Sequence, residues 1–198
     1  MKKLLAALVA LSLLICAATA LASDNPEEIT LGGDTYALPC RVSAFLENGW
    51  EVGPLYQEWI NNDTQDYVEL ELTATDAVPA NHWGNFVINR DGTSLTLYVE
   101  VTQQDEALRD KWVDTIYFIG PEVDGNAPEM EYLGTELLHP DMAVLGKNAG
   151  AWSEEMPEGG EDYFYAWMTT THGTMNLSLY TLEDGSLLDG TLNIGLAH

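Results

Sequence analysis

Positive charge is what this chain lacks most. Seven lysines and arginines stand against 32 acidic residues, for a formal net charge of −25. A surface of that sign repels the phosphate backbone, and scattered cations cannot neutralise several phosphates together. Nucleic acid is therefore excluded as a partner, as are other anionic polymers. Cysteine is almost as scarce, with Cys16 and Cys40 the only two. Zinc signatures are missing too: His82, His139, His172 and His198 are isolated, and there is neither a paired-cysteine motif nor an H-E-x-x-H. Disorder is excluded from the other side, because six Trp and nine Tyr, set among alternating apolar runs, provide more burial than disordered chains possess.

The first residues carry the clearest signal. Met1-Lys2-Lys3 is followed by an apolar run from Leu4 to Leu21. Ala20-Leu21-Ala22 then supplies small residues ahead of the polar Ser23-Asp24-Asn25-Pro26. This is the layout of a cleaved secretory signal peptide over residues 1–22. A membrane anchor is the rival, but the small residues before a polar, proline-containing segment favour cleavage. Lipid anchoring at Cys16 is a minor alternative, because Ile15 is not the small residue that lipidation requires. The expected product is secreted or held at the cell surface, with no stable membrane insertion. Loss of Lys2, Lys3 and Cys16 leaves five cations against 32 acids, a balance of −27, and Cys40 with no intramolecular partner.

The rest of the chain is predicted to be α+β, mainly antiparallel β-sheet with two short helices. Gly32-Gly33-Asp34 separates two short strands, and Asp91-Gly92 separates residues 85–90 from 93–102, the strongest short hairpin signal available. Helices are expected over Arg41–Asn48, closed by Gly49, and over Pro140–Leu145, closed by Gly146. Residues 53–66 are the least readable, with part of a helix expected through Trp59. Strict alternation from Tyr67 to Ala74 predicts a half-buried strand with Val68, Leu70 and Leu72 inward. Another strand is predicted from Trp112 to Ile119. Residues 121–135 resemble a linker, dividing an N-terminal subdomain (23–120) from a C-terminal one (121–198). The latter comprises a helix and a meander over 163–170, 174–182 and 187–196.

Residues 38–50, L-P-C-R-V-S-A-F-L-E-N-G-W, resemble the opening of a group of uncharacterised exported proteins from Gram-positive, gut-type bacteria. With the preceding strand, the likeness covers about an eighth of the mature chain. It implies an exported setting and a short strand, turn and helix before antiparallel strands. Members are often lipid-anchored, where this chain departs, and the group brings no assigned activity.

Candidate sites are few. Tyr163, Tyr165 and Trp167 share one face of a predicted strand opposite Phe164, Ala166 and Met168, so they form either an exposed aromatic strip or part of a doubly buried strand. The strip would suit a carbohydrate or a protein partner. Asn61, Asp63 and Asp66 cluster oxygen ligands in a loop, a pattern compatible with weak calcium binding; a plain polar loop explains them as well, and no other cofactor is indicated. Cys40 ahead of a helix is a candidate nucleophile, against the commoner role of a small buried side chain. Glu69 with Glu71, and Asp110 with Asp114, are pairs that 32 acids produce by chance. The favoured reading is a non-enzymatic binding module; the alternative is an extracellular hydrolase using carboxylates or Cys40.

Overall fold

The computed structural model describes residues 25–54, 57–123, 125–155 and 162–195. The predicted signal peptide, Cys16 and His198 lie outside them. Over the described residues the chain is α+β and mostly antiparallel sheet, with two α-helices.

Strands β1 (Glu28–Leu31) and β2 (Asp34–Ala37) form the first hairpin, followed by helix α1 (Val42–Glu47). Next come β3 (Glu51–Val52), β4 (Glu58–Asn61), β5 (Tyr67–Val68) and β6 (Ala77–Val78). The long strands β7 (His82–Arg90) and β8 (Thr93–Val99) close on Asp91-Gly92. Both turn residues take positive φ, 52° and 84°, the conformation whose twist suits a two-residue hairpin and which favours an Asp-Gly pair. After β9 (Glu106–Ala107) and a 3-10 turn at Leu108–Asp110 comes β10 (Val113–Ile119). Then follow β11 (Met130–Tyr132), β12 (Thr135–Glu136), helix α2 (Met142–Asn148), β13 (Gly150–Glu155), β14 (Asp162–Thr170), β15 (Gly173–Thr181) and β16 (Leu187–Asn193).

Ten strands make one sheet in the order β13-β14-β15-β16-β10-β8-β7-β4-β5, with β3 also on β7. A smaller sheet runs β12-β11-β1-β2. Alternation sends one face of the large sheet into a core shared with the small sheet, including Phe86, Leu97, Ile116, Phe118, Leu177 and Leu192. Burying each such side chain is worth about 1.5–3 kcal/mol, so this shared face supplies much of the driving force. The ladder between β10 and β16 joins residues on both sides of position 120 in one sheet.

Four local expectations change. Trp59 lies in strand β4 and is fully buried, rather than in a helix. The strand predicted from Tyr67 stops at Val68. Leu70 and Leu72 still pack against the core, but the Gln57 side chain takes the place of a neighbouring strand. Its amide donates to the Leu72 carbonyl at 2.8 Å and accepts from the Leu72 N–H at 2.8 Å. The segment expected as a linker contributes β11 and β12, with Met130, Tyr132 and Leu133 buried. β11 pairs with β1, which supplies the backbone partners that a proline- and glycine-punctuated segment does not advertise. Finally, α2 runs through Gly146 to Asn148. Asp141 caps its start by accepting from the Ala143 and Val144 N–H groups, and Asn148 donates to the Leu133 carbonyl.

The segment around Trp50 packs as a unit. Tyr36 stacks on Phe45 at 4.6 Å between centroids, and the Trp50 indole N–H donates to the Tyr36 hydroxyl at 3.0 Å. Arg90 lies over the Trp50 ring, pairs with Asp34 and donates to the carbonyls of Gly32 and Asn48. Two of the chain's few cations thus serve structure, since Arg41 likewise pairs with Glu106 and lies over Trp112.

Candidate binding face

The second face of the large sheet is partly open, and register fixes what it displays. Along β14, Phe164, Ala166 and Met168 are buried, whereas Tyr163 and Tyr165 are half-buried and Trp167 is 43% exposed. All three expected strip residues therefore lie on the outward face. A Cβ on Gly150 would come within 2.6 Å of the Trp167 ring, so the bare backbone of β13 is what lets the indole lie there.

The strip continues across the sheet. Trp167 pairs with Asn176, Asn176 with Asn193, Asn193 with Thr115, and Thr115 with Tyr98. The neighbouring row pairs Tyr165 with Ser178, then Thr191, Tyr117 and Thr96. These ten grid positions on β14, β15, β16, β10 and β8 carry only aromatic, amide and hydroxyl side chains. A third row pairs Tyr163 with Tyr180, then Asp189 and Ile119, and begins to bring in charge and aliphatic carbon. Other carboxylates stand at the margins: Asp114 at the β10 bulge accepts from the Thr115 hydroxyl, and Glu58 accepts from the Asn85 amide.

Hydrogen bonds hold the face in order. The Tyr165 hydroxyl donates to Asn176 Oδ1 at 2.7 Å, which turns the amide nitrogen to its other side. Asn193 Nδ2 is 3.4 Å from the Thr115 hydroxyl, and the Tyr163 hydroxyl is 3.4 Å from that of Ser178. Tyr163 and Tyr180 rings lie 4.8 Å apart, and those of Tyr165 and Trp167 6.1 Å. Burial raises the Tyr98 and Tyr117 pKa values; Glu58 adds to the first, Asp189 and Tyr98 to the second. Both phenols consequently stay neutral and able to donate across the physiological range.

The other candidates fall differently. Asn61 Oδ1 accepts from the N–H groups of Asp63 and Thr64, closing its own turn, and Asp63 accepts from the Asn81 amide. Asp66 is exposed and its N–H is 3.3 Å from the Thr64 hydroxyl. Two of these three side chains are thus engaged in shaping the loop. No group of three His, Cys, Asp or Glu gathers as a metal site among the described residues. Cys40 is buried, and burial pushes its thiol up to about 12. Such a thiol is scarcely ionised at neutral pH, the opposite of an activated nucleophile. His82 Nδ1 is 2.8 Å from the Ala80 carbonyl. Glu69 and Glu71 are exposed outside any strand, while Asp110 ends a 3-10 turn and Asp114 belongs to β10.

One cleft of about 450 Å³ lies where β3 and residues 71–74 part, lined by Leu46, Trp50, Val52, Pro54 and Leu72 with Gln57 beside them. The Gln57 amide is already engaged by Leu72, Gly53 and Trp59. It holds the cleft's walls together and has little left to offer a ligand.

No family model, curated protein or solved structure matches the chain. That Tyr163, Tyr165 and Trp167 share one face of a strand was visible in sequence. That Tyr98, Thr115, Asn193 and Asn176 stand in one line with Trp167 was not, because it depends on β10 lying between β16 and β8.

Proposed function

We propose that this protein is an exported, acidic, non-enzymatic binding module that engages its ligand through the outward face of β14. Export rests on the Lys2-Lys3 start, the apolar run and the Ala20-Leu21-Ala22 pattern. It accords with the exported group that Leu38–Trp50 resembles. The observation that carries the binding reading is the placement of Tyr163, Tyr165 and Trp167 on the open face, with Trp167 43% exposed. A large aromatic ring left in water beside two others is a costly arrangement for a monomer, and such patches mark contact sites. The hydrolase alternative has less behind it, since Cys40 is buried with a raised pKa and its sulfur meets no histidine among the described residues.

The test is a pull-down with the mature chain from native extracellular medium and cell-wall extract, with and without calcium. A ligand retained by the wild type and lost in the combined Tyr163→Ala, Tyr165→Ala, Trp167→Ala variant is the expected outcome. Equal retention by the folded triple variant would sink the assignment of this face. Retention abolished by chelator would instead make the interaction calcium-dependent, which the aromatic strip does not explain.

A further inference from the structure

We infer that the ligand of this face is a neutral polysaccharide lying across the strands, along the row from Trp167 through Asn176, Asn193 and Thr115 to Tyr98. This rests on the binding role proposed for β14 and adds the ligand class and the direction it takes.

Charge provides the first argument. In a chain with 32 acidic residues, ten adjacent grid positions hold no charged side chain. A basic partner would be met by carboxylates, and these stand only at the margins; an anionic polymer would be repelled by the molecule as a whole. An uncharged ligand is the match for an uncharged surface.

Side-chain chemistry provides the second. Protein interfaces draw on arginine and methionine as well as aromatics. Both rows lack these two residues and all aliphatic side chains. What they offer is flat rings together with amides and hydroxyls, groups that donate and accept at once. A sugar has the complementary make-up, with C–H faces that lie on rings and a rim of hydroxyls that both give and take hydrogen bonds. Asn176, its oxygen held by Tyr165, presents its amide nitrogen to such a rim.

Geometry provides the third. The row has a ring at each end and amides or a hydroxyl between. From β14 to β8 it spans four strand spacings, about 19 Å at 4.7–4.9 Å each, which is the reach of several linked sugars rather than one. The rings of Tyr165 on β14 and Tyr117 on β10 flank the row from the next one, so a chain lying along it meets aromatic surface towards both ends and amides and hydroxyls over β15 and β16 between them.

The test is native electrophoresis of the full mature chain through gels containing soluble starch, mixed-linkage β-glucan, galactomannan or xylan, with polygalacturonate as the anionic comparison. At least one neutral polymer is expected to retard the protein, and polygalacturonate to leave it unaffected. Tyr98→Ala and Asn193→Ala, both remote from β14, are each expected to weaken retardation about tenfold, the loss of one good contact. Tyr98→Phe keeps the ring and should retain most of the binding, which separates ring stacking from a general loosening of the sheet. Retardation unchanged by the Tyr98 and Asn193 variants but lost in Trp167→Ala would overturn the cross-strand row and leave the β14 strip standing. No retardation in any neutral polymer would overturn the polysaccharide. A protein ligand captured through Trp167 would do the same while preserving the strip as a contact site.

Discussion

The two ends of the large sheet each centre on a carboxamide, and the two amides do opposite things. At the β4–β5 end, Gln57 is buried and spends its whole amide on the protein: it donates to Leu72 and Gly53 carbonyls and accepts from the Leu72 N–H and the Trp59 indole. At the β14–β16 end, backbone ladders run along β14, β15 and β16 with one register shift, between Tyr180 and Thr181, and no side chain is needed to complete them around Asn176. Asn176 there is half-buried on the wet face, and among the described residues its side chain bonds to the Tyr165 hydroxyl alone, through its oxygen. One amide replaces a strand. The other is free to meet a ligand because the strands around it are complete.

The sharpest way to break this contrast is Gln57→Leu. The replacement fits the apolar surroundings, yet it strands the Trp59 indole N–H in a fully buried site and removes both partners of Leu72. Buried groups left without partners cost about 1–3 kcal/mol each, less where water can reach them, so a loss of roughly 3 kcal/mol is expected. Urea unfolding at neutral pH measures it. A change below about 0.5 kcal/mol, the size typical of an exposed site, would show that Gln57 does not stand in for a strand.

Acid should loosen both ends, for a reason that differs from the amides. Glu27 accepts from the Thr171 N–H and hydroxyl at the β14–β15 turn, and Asp76 accepts from the same two groups of Thr73 near β6. In each case the hydroxyl bond first, then the amide bond, holds the carboxylate pKa below its ordinary value. A folded pKa depressed in this way means stabilisation that is present above the unfolded value, about 4.3 for Glu and 3.9 for Asp, and lost as pH falls through the folded value. Both carboxylates are at the surface, so the effect is local rather than global. Hydrogen exchange should show the Thr171 and Thr73 amides losing protection below about pH 4 while the β15 core amides keep theirs. Uniform loss across β15 at the same pH would mean that the turns are not independent of the core.

What was legible in the sequence follows the same division. The meander and both hairpins were readable because each strand alternates and each turn carries its own chemistry, Gly32-Gly33 in one and Asp91-Gly92 in the other. From Tyr67 to Leu72 the alternation was equally clear and the inward residues were correct, but a side chain 15 positions away supplies the hydrogen bonds. Periodicity reports which way side chains point and says nothing of what pairs with the backbone. Residues 121–135 failed for the complementary reason: three residues of β11 are too few to show a period, and their partner is β1. The candidate face was half legible. Tyr163, Tyr165 and Trp167 announce themselves on one strand, whereas Asn176, Asn193, Thr115 and Tyr98 become a row only through the strand order.

The smallest expected effect on stability belongs to the second amide. Asn176→Ala removes the acceptor of the Tyr165 hydroxyl, but that hydroxyl is on the half-buried outer face, where water replaces the lost partner. The two flanking ladders, to β14 and to β16, involve backbone alone and are untouched. A change within about 0.5 kcal/mol in urea unfolding is therefore expected, the usual range for exposed positions, against the larger loss predicted for Gln57→Leu. Polysaccharide retardation should fall in the same variant, because the donor between Trp167 and Asn193 is gone. A variant that loses stability and keeps retardation would reverse the roles assigned to the two ends, making the wet-face amide a structural tie and leaving the row without a contact between Trp167 and Asn193.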